Sequence, residues 1–267
     1  APNVFKIIEM EIPVNGQNIK ARYYRGINNS EETSLPVTIF FHGGGWVIGD
    51  LDTHDVVCRQ LSNQGKFDVI SIDYRMGPEF RFPTAINDAI TSISWINNNS
   101  LKLPIDTSKI AVCGDSAGGN IATVCCLNSK INSGPLISFQ ALIYPSTHMG
   151  TNYPSKDRYD GYILSNKLMS WFEEKYIDKN LLSDWRAAPM LFEDLSNLPE
   201  SLIIVAGCDP LKDEGIAYGE KLQKAGNKSE TIIFDGQIHG FLTMGARIKD
   251  TKKLINLLSD RLNKALS

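Results

Sequence analysis

Short apolar runs rich in β-branched and aromatic residues recur along this chain, and segments of helical period separate them. The runs are Val37 to Phe41, Val69 to Tyr74, Ile110 to Cys113, Phe139 to Tyr144, Leu202 to Ala206 and Thr231 to Phe234. Between them, spacings such as Ala85, Ile86, Ala89, Ile90, Ile93 and Ile96 put apolar side chains on one face of a helix. Near-continuous apolar strands alternating with amphipathic helices predict an α/β fold, a mostly parallel sheet with helices on both faces. Upstream, the runs Phe5 to Ile12 and Ile19 to Tyr24 are joined by Asn15-Gly16, a hairpin-type turn, and predict an antiparallel edge.

The alternation stops at residues 146–195. No strand-like run occurs there, while Leu164, Leu168, Trp171, Phe172 and Tyr176 recur at helical spacing behind an N-cap candidate, Ser165. This stretch reads as a helical cap insertion over one end of the sheet. Leu254, Leu257, Leu258, Leu262 and Leu266 then predict a closing amphipathic helix. At 267 residues, residues 1–267 are expected to form a single domain with that insertion.

Charge narrows the function classes. The 27 Lys and Arg against 30 Asp and Glu are scattered, so the basic footprint of a nucleic-acid binder is missing. Cys58, Cys113, Cys125, Cys126 and Cys208 show no CxxC spacing for zinc or redox work, and read as free thiols of a cytoplasmic protein. No apolar run has the length that spans a bilayer, and no signal-peptide pattern opens the chain. The first residues are Ala1-Pro2 rather than Met, which suggests that a segment once preceded them.

The chemistry concentrates in "GDSAGGN", residues 114–120. A GxSxG pattern alone is weak evidence. Here it follows an expected strand and opens an expected helix, the setting in which a serine sits on a strained turn beside the N–H groups of a helix start. Ser116 is then a candidate nucleophile and the Ala117 N–H a candidate oxyanion donor. A serine hydroxyl needs a base. His239, in "QIHGF" after the last strand, comes at the right point in the order serine, acid, histidine. For the acid, Asp209 in "GCDPLKDEG" lies just past a strand end; Asp213 and Asp235 compete with it, in capping or solvated roles.

"HGGGW", residues 42–46, follows the strand ending at Phe41, and Gly43 and Gly44 are the expected further oxyanion donors. A phosphate-cradling loop is the competing reading, but neither GxGxxG nor a Walker lysine is present. His42 is expected to brace the loop by hydrogen bonds, and His54 and His148 to be surface or cap histidines without a role. Trp46, Trp171 and Phe172 are candidate substrate contacts, with a plain core stripe as the alternative for Trp171, Phe172 and Tyr176.

With HGGGW, GDSAGGN, DPLKDEG and HGF in that order, the chain resembles the hormone-sensitive-lipase-like branch of the α/β-hydrolases, the bacterial family IV esterases. The likeness runs from about Phe5 to the last helix. "YRMGPEFRFP", residues 74–83, is similar to a fifth family motif, departing at Met76 and Gly77 where Leu and Ala are usual. The resemblance implies Ser116 as nucleophile, Asp209 as acid and His239 as base. It implies an oxyanion hole from Gly43, Gly44 and Ala117, hydrolysis of short- to medium-chain carboxylic esters, no metal or organic cofactor, and a homodimer formed through the sheet edge. An amidase, lactonase or deacetylase would use the same triad, and receptors on this scaffold lack the histidine. Relatives carry cap helices ahead of the first strand, so either a segment is missing from this sequence or its pocket is unusually open.

Overall fold

The computed structural model describes residues 1–30, 33–99 and 103–267. Eight strands form one sheet: β1 (Lys6–Val14), β2 (Gln17–Arg25), β3 (Leu35–Phe41), β4 (Asp68–Ile72), β5 (Ile105–Asp115), β6 (Ile137–Ile143), β7 (Glu200–Cys208) and β8 (Ser229–Ile238). Their spatial order is β1-β2-β4-β3-β5-β6-β7-β8. β1 pairs antiparallel with β2 and β2 antiparallel with β4; the remaining pairs are parallel. Asn15 and Gly16 both adopt positive φ, 43° and 81°, as a tight turn matched to the strand twist requires. Several strands run further than their apolar runs predict, because the run marks only the buried centre. β5 starts at Ile105 with Asp106, Thr107, Ser108 and Lys109 incompletely buried.

Side chains alternate between two cores. Val37, Ile39 and Phe41 of β3 join one, with Ile86 and Ile93 of α2 (Thr84–Asn98), Ile121 and Val124 of α3 (Ala117–Asn132) and Tyr218 of α6 (Lys212–Lys224). Phe40 faces the other, with Val57 and Leu61 of α1 (Asp55–Gln64) and Leu254, Leu258 and Leu262 of α7 (Lys249–Ala265). Helices thus cover both faces, as the alternation of strand and helix patterns predicts.

Residues 146–195 hold α4 (Pro154–Arg158), α5 (Asn166–Tyr176) and two short 3₁₀ turns at Lys179–Leu181 and Pro189–Leu191. Ser165 caps α5 by accepting the Leu168 N–H at 3.1 Å. Ser155 ties the insertion down: its N–H donates to Asp213 at 2.8 Å and its hydroxyl to the Pro210 carbonyl at 2.7 Å. The segment that follows β7 therefore seats the insertion beside the carboxyl ends of the strands.

Candidate active site

Ser116 lies between β5 and α3 with φ 55° and ψ −114°, a conformation that L-residues avoid. The turn closes because strand and helix nearly touch: a Cβ on Gly118 would meet the Phe41 carbonyl oxygen at 1.9 Å. The Ser116 N–H donates to Ile143 O at 2.8 Å, which fixes the turn to β6.

His239 follows β8, and its Nε2 stands 2.9 Å from Ser116 Oγ. Its Nδ1 stands 2.7 Å from Asp209 Oδ2, and Asp209 is fully buried. The other Asp209 oxygen accepts the Leu211 N–H at 2.8 Å, so the carboxylate is held from its own turn. Burial works against a charged imidazole at His239, but the charge and hydrogen bond of Asp209 outweigh it and hold the group above the ordinary histidine range. The competing acids stand elsewhere. Asp213 receives the Ser155 N–H, and Asp235 is exposed on β8.

The glycine loop corrects one expectation. The Gly43 N–H is already given to Asp115 Oδ1, at 2.8 Å, and cannot also face a substrate. The N–H groups of Gly44, Gly45 and Ala117 have no hydrogen-bond partner among the described residues. Gly44, Gly45 and Ser116 all line one cavity of about 300 Å³. Gly45, the third glycine of the motif, rather than Gly43, therefore has an N–H left for a ligand. His42 does brace the loop: its Nδ1 lies 2.7 Å from Gly43 O, and the Tyr74 hydroxyl donates to His42 O at 2.7 Å. Desolvation lowers its pKa to about 4, so its ring is neutral. The fifth motif supports the same loop, since the Gly77 N–H donates to Trp46 O at 2.9 Å.

The cavity is apolar away from the serine, with Ile48, Met149, Leu164, Leu168 and Phe172 in its wall. Phe172 presses its ring on the glycine loop, where a Cβ on Gly45 would fall 2.3 Å from Phe172 Cγ. Trp46 reaches the wall but stacks on Tyr176, 4.7 Å between centroids, and is nearly all core. Trp171 is a correction: it is 42% exposed and takes no part in the cavity wall, because one helical position turns it toward solvent, where its ring meets that of Phe172 edge-on at 5.4 Å. His54 stands at the N-cap of α1, as the cap reading expects, but it is not a surface residue: its ring is buried in the cavity wall beside Asp115. His148 is half-buried and bonds Tyr153 Oη at 2.8 Å. Met149, Leu164, Leu168 and Leu211 were not singled out as cavity wall, because apolar side chains carry no sequence signal that separates wall from core.

An eight-stranded, mostly parallel sheet with a serine on a strained strand-to-helix turn, joined through an imidazole to a buried carboxylate, is the arrangement of the α/β-hydrolase class. The family model described as alpha/beta hydrolase fold matches residues 38–243. The chain belongs to this family. It is 35% identical to the carboxylic ester hydrolase LipN of Mycobacterium tuberculosis over 97% of this chain and 71% of that protein. Ethyl acetate hydrolase of Pseudomonas putida is 34% identical over 94% of this chain and 80% of its own. Among solved structures, the hyperthermophilic esterase of the archaeon Pyrobaculum calidifontis superposes with a TM-score of 0.95 at 36% identity, covering 99% of this chain and 85% of that one.

Proposed function

We propose that this protein is a serine carboxylesterase acting on short- to medium-chain esters through an acyl-enzyme, with Ser116 as nucleophile, His239 as base and Asp209 as the orienting acid. The observation that carries the reading is the unbroken relay from Asp209 through His239 to Ser116, opening into an apolar cavity. Ser116 Oγ bonds to the ester carbonyl carbon while its proton passes to His239 Nε2. The Gly44, Gly45 and Ala117 N–H groups receive the developing oxyanion. The imidazolium then protonates the departing alkoxide, and water repeats the sequence on the acyl-enzyme to release the acid. Asp209 keeps the imidazole oriented and stabilises it while charged.

Turnover of a p-nitrophenyl ester panel, with Ser116→Ala and matching p-nitroanilides as controls, tests the reading. It requires ester turnover that is lost in Ser116→Ala and exceeds anilide turnover; equal rates in the two proteins would remove the serine from the mechanism. Among the described residues no helix is long and apolar enough to cross a membrane. A cytoplasmic location is our reading of the free thiols, four of them buried. Pairing of two copies along the β8 edge is the assembly we propose, supported by Ile233, 40% exposed on that strand. Light scattering on the purified protein reads it directly.

A further inference from the structure

Asp115, immediately before Ser116, is a nearly fully buried carboxylate that the proposed reaction does not use. Its Oδ1 receives the Gly43 N–H at 2.8 Å, and His54 Nε2 approaches the same oxygen at 3.1 Å. The ring lies off the line of a well-aligned hydrogen bond, so charge rather than direction decides this contact. Tyr144 Oη reaches Asp115 Oδ2 at 3.5 Å.

The protons of His54 follow from its neighbours. The Thr53 hydroxyl donates to Asp50 O at 2.7 Å, which uses its only proton. Thr53 Oγ1, 3.0 Å from His54 Nδ1, must then accept, and Nδ1 carries a hydrogen. A bare Nε2 would set a lone pair against a carboxylate oxygen inside the protein, a contact of two acceptors without compensation. Placing the shared proton on Asp115 instead is disfavoured. Its Oδ1 already accepts the Gly43 N–H at 2.8 Å, a hydrogen bond that favours the ionised carboxylate.

We infer that His54 is an imidazolium built into the cavity wall, whose charge neutralises Asp115 and lets that carboxylate hold the Gly43 N–H, so that Gly44 and Gly45 present theirs to the substrate. His54 is a positioning residue. Without its charge, a buried anion next to Ser116 would face the oxyanion forming there, and the two would repel. The two histidines divide the work: His42, its ring tilted against that of His54 at 5.8 Å between centroids, is neutral and braces the backbone, while His54 carries charge. The titratable groups facing His54 are Asp115 from β5, His42 from the loop after β3 and, through Thr53, Asp50; on α1, one turn on, is Cys58, whose thiol burial pushes up.

Imidazole nitrogen NMR of the intact protein, labelled on its four histidines, tests this without reference to activity. His54 signals are assigned against His54→Gln, His148→Gln and His239→Gln. Both His54 nitrogens protonated at neutral pH is the expected result; a neutral tautomer overturns the inference. The kinetic arm rests on the esterase reading. His54→Gln should lower kcat about 10- to 100-fold, short of losing an oxyanion donor outright, with KM within about three-fold. His54→Gln combined with Asp115→Asn should regain activity over His54→Gln alone, because the charge needing neutralisation is gone, whereas a double variant no better than the single one overturns the charge role. If ester turnover is absent altogether, the esterase reading fails while the NMR result still decides the charge of His54.

Discussion

The imidazole Nε2 of His239 and the hydroxyl of Ser116, separated by 123 positions in the chain, meet at 2.9 Å, and Asp209 reaches the far side of the same ring at 2.7 Å. Asp209→Asn should preserve the fold and lower kcat on a p-nitrophenyl ester by about 10⁴-fold, because the amide favours the wrong tautomer of His239. Circular dichroism on the same sample separates this from unfolding. A loss under ten-fold would transfer the acid's role elsewhere.

The same pair sets a pH dependence. His239 must be neutral to take a proton, and Asp209 raises its pKa. The acid limb of kcat/KM is therefore expected above the ordinary histidine value of about 6.5, and should move down in Asp209→Asn. Stability has the opposite sense: the ion pair's contribution is complete below the unfolded-state value and disappears as pH rises through the folded one. Rate and melting profiles over the same pH series check both signs.

Gly45 has φ 60° and no room for a side chain, since its Cβ would strike Phe172. Gly45→Ala should displace an oxyanion donor and lower kcat about 10²- to 10³-fold, with a smaller effect on KM. Adding Phe172→Ala should restore part of the loss by relieving the collision. Unchanged turnover in Gly45→Ala would mean that its N–H does not serve the reaction.

Neighbours on α5 should behave differently. Phe172→Ala removes a wall of the cavity and should shift the acyl preference toward longer chains, at a stability cost of up to about 3–5 kcal/mol. Trp171→Ala, at an exposed position, should leave both the chain-length profile and stability within about 0.5 kcal/mol of the parent. Rates on an acyl-length series with thermal melts compare them directly.

Far from the site, Arg25 and Asp68 form a fully buried two-pronged pair at 3.0 and 2.7 Å, with the Tyr23 hydroxyl donating to Asp68 at 2.8 Å. Arg25→Met leaves the carboxylate without its countercharge and should cost about 3–5 kcal/mol in urea unfolding. Catalytic constants of the folded fraction should stay as they were.

The pattern of apolar positions was sufficient for the alternation of strands and helices, the Asn15-Gly16 hairpin and the Ser165 cap, because each depends on neighbours within a few residues. The order of HGGGW, GDSAGGN, DPLKDEG and HGF likewise carried the family, since loops at the carboxyl ends of parallel strands must converge on one edge. Strand ends were less legible, because polar residues at the sheet's margin look like loop.

Distance was for the tertiary structure to decide. That Asp209 rather than Asp213 or Asp235 lies under His239 depends on how the turn after β7 folds back on itself. That Gly43 gives its N–H to Asp115, 72 positions away, and leaves Gly45 to face the cavity depends on β3 and β5 being neighbours in the sheet. Trp171 and Phe172 are equivalent in composition and differ only in which side of α5 they occupy. His54, unremarkable in the chain, came into buried contact with Asp115 only when a helix start was packed against the end of β5. Periodicity reports which face a side chain takes, whereas hydrogen bonds and charge pairs act over a few ångströms between residues that only the complete packing brings together.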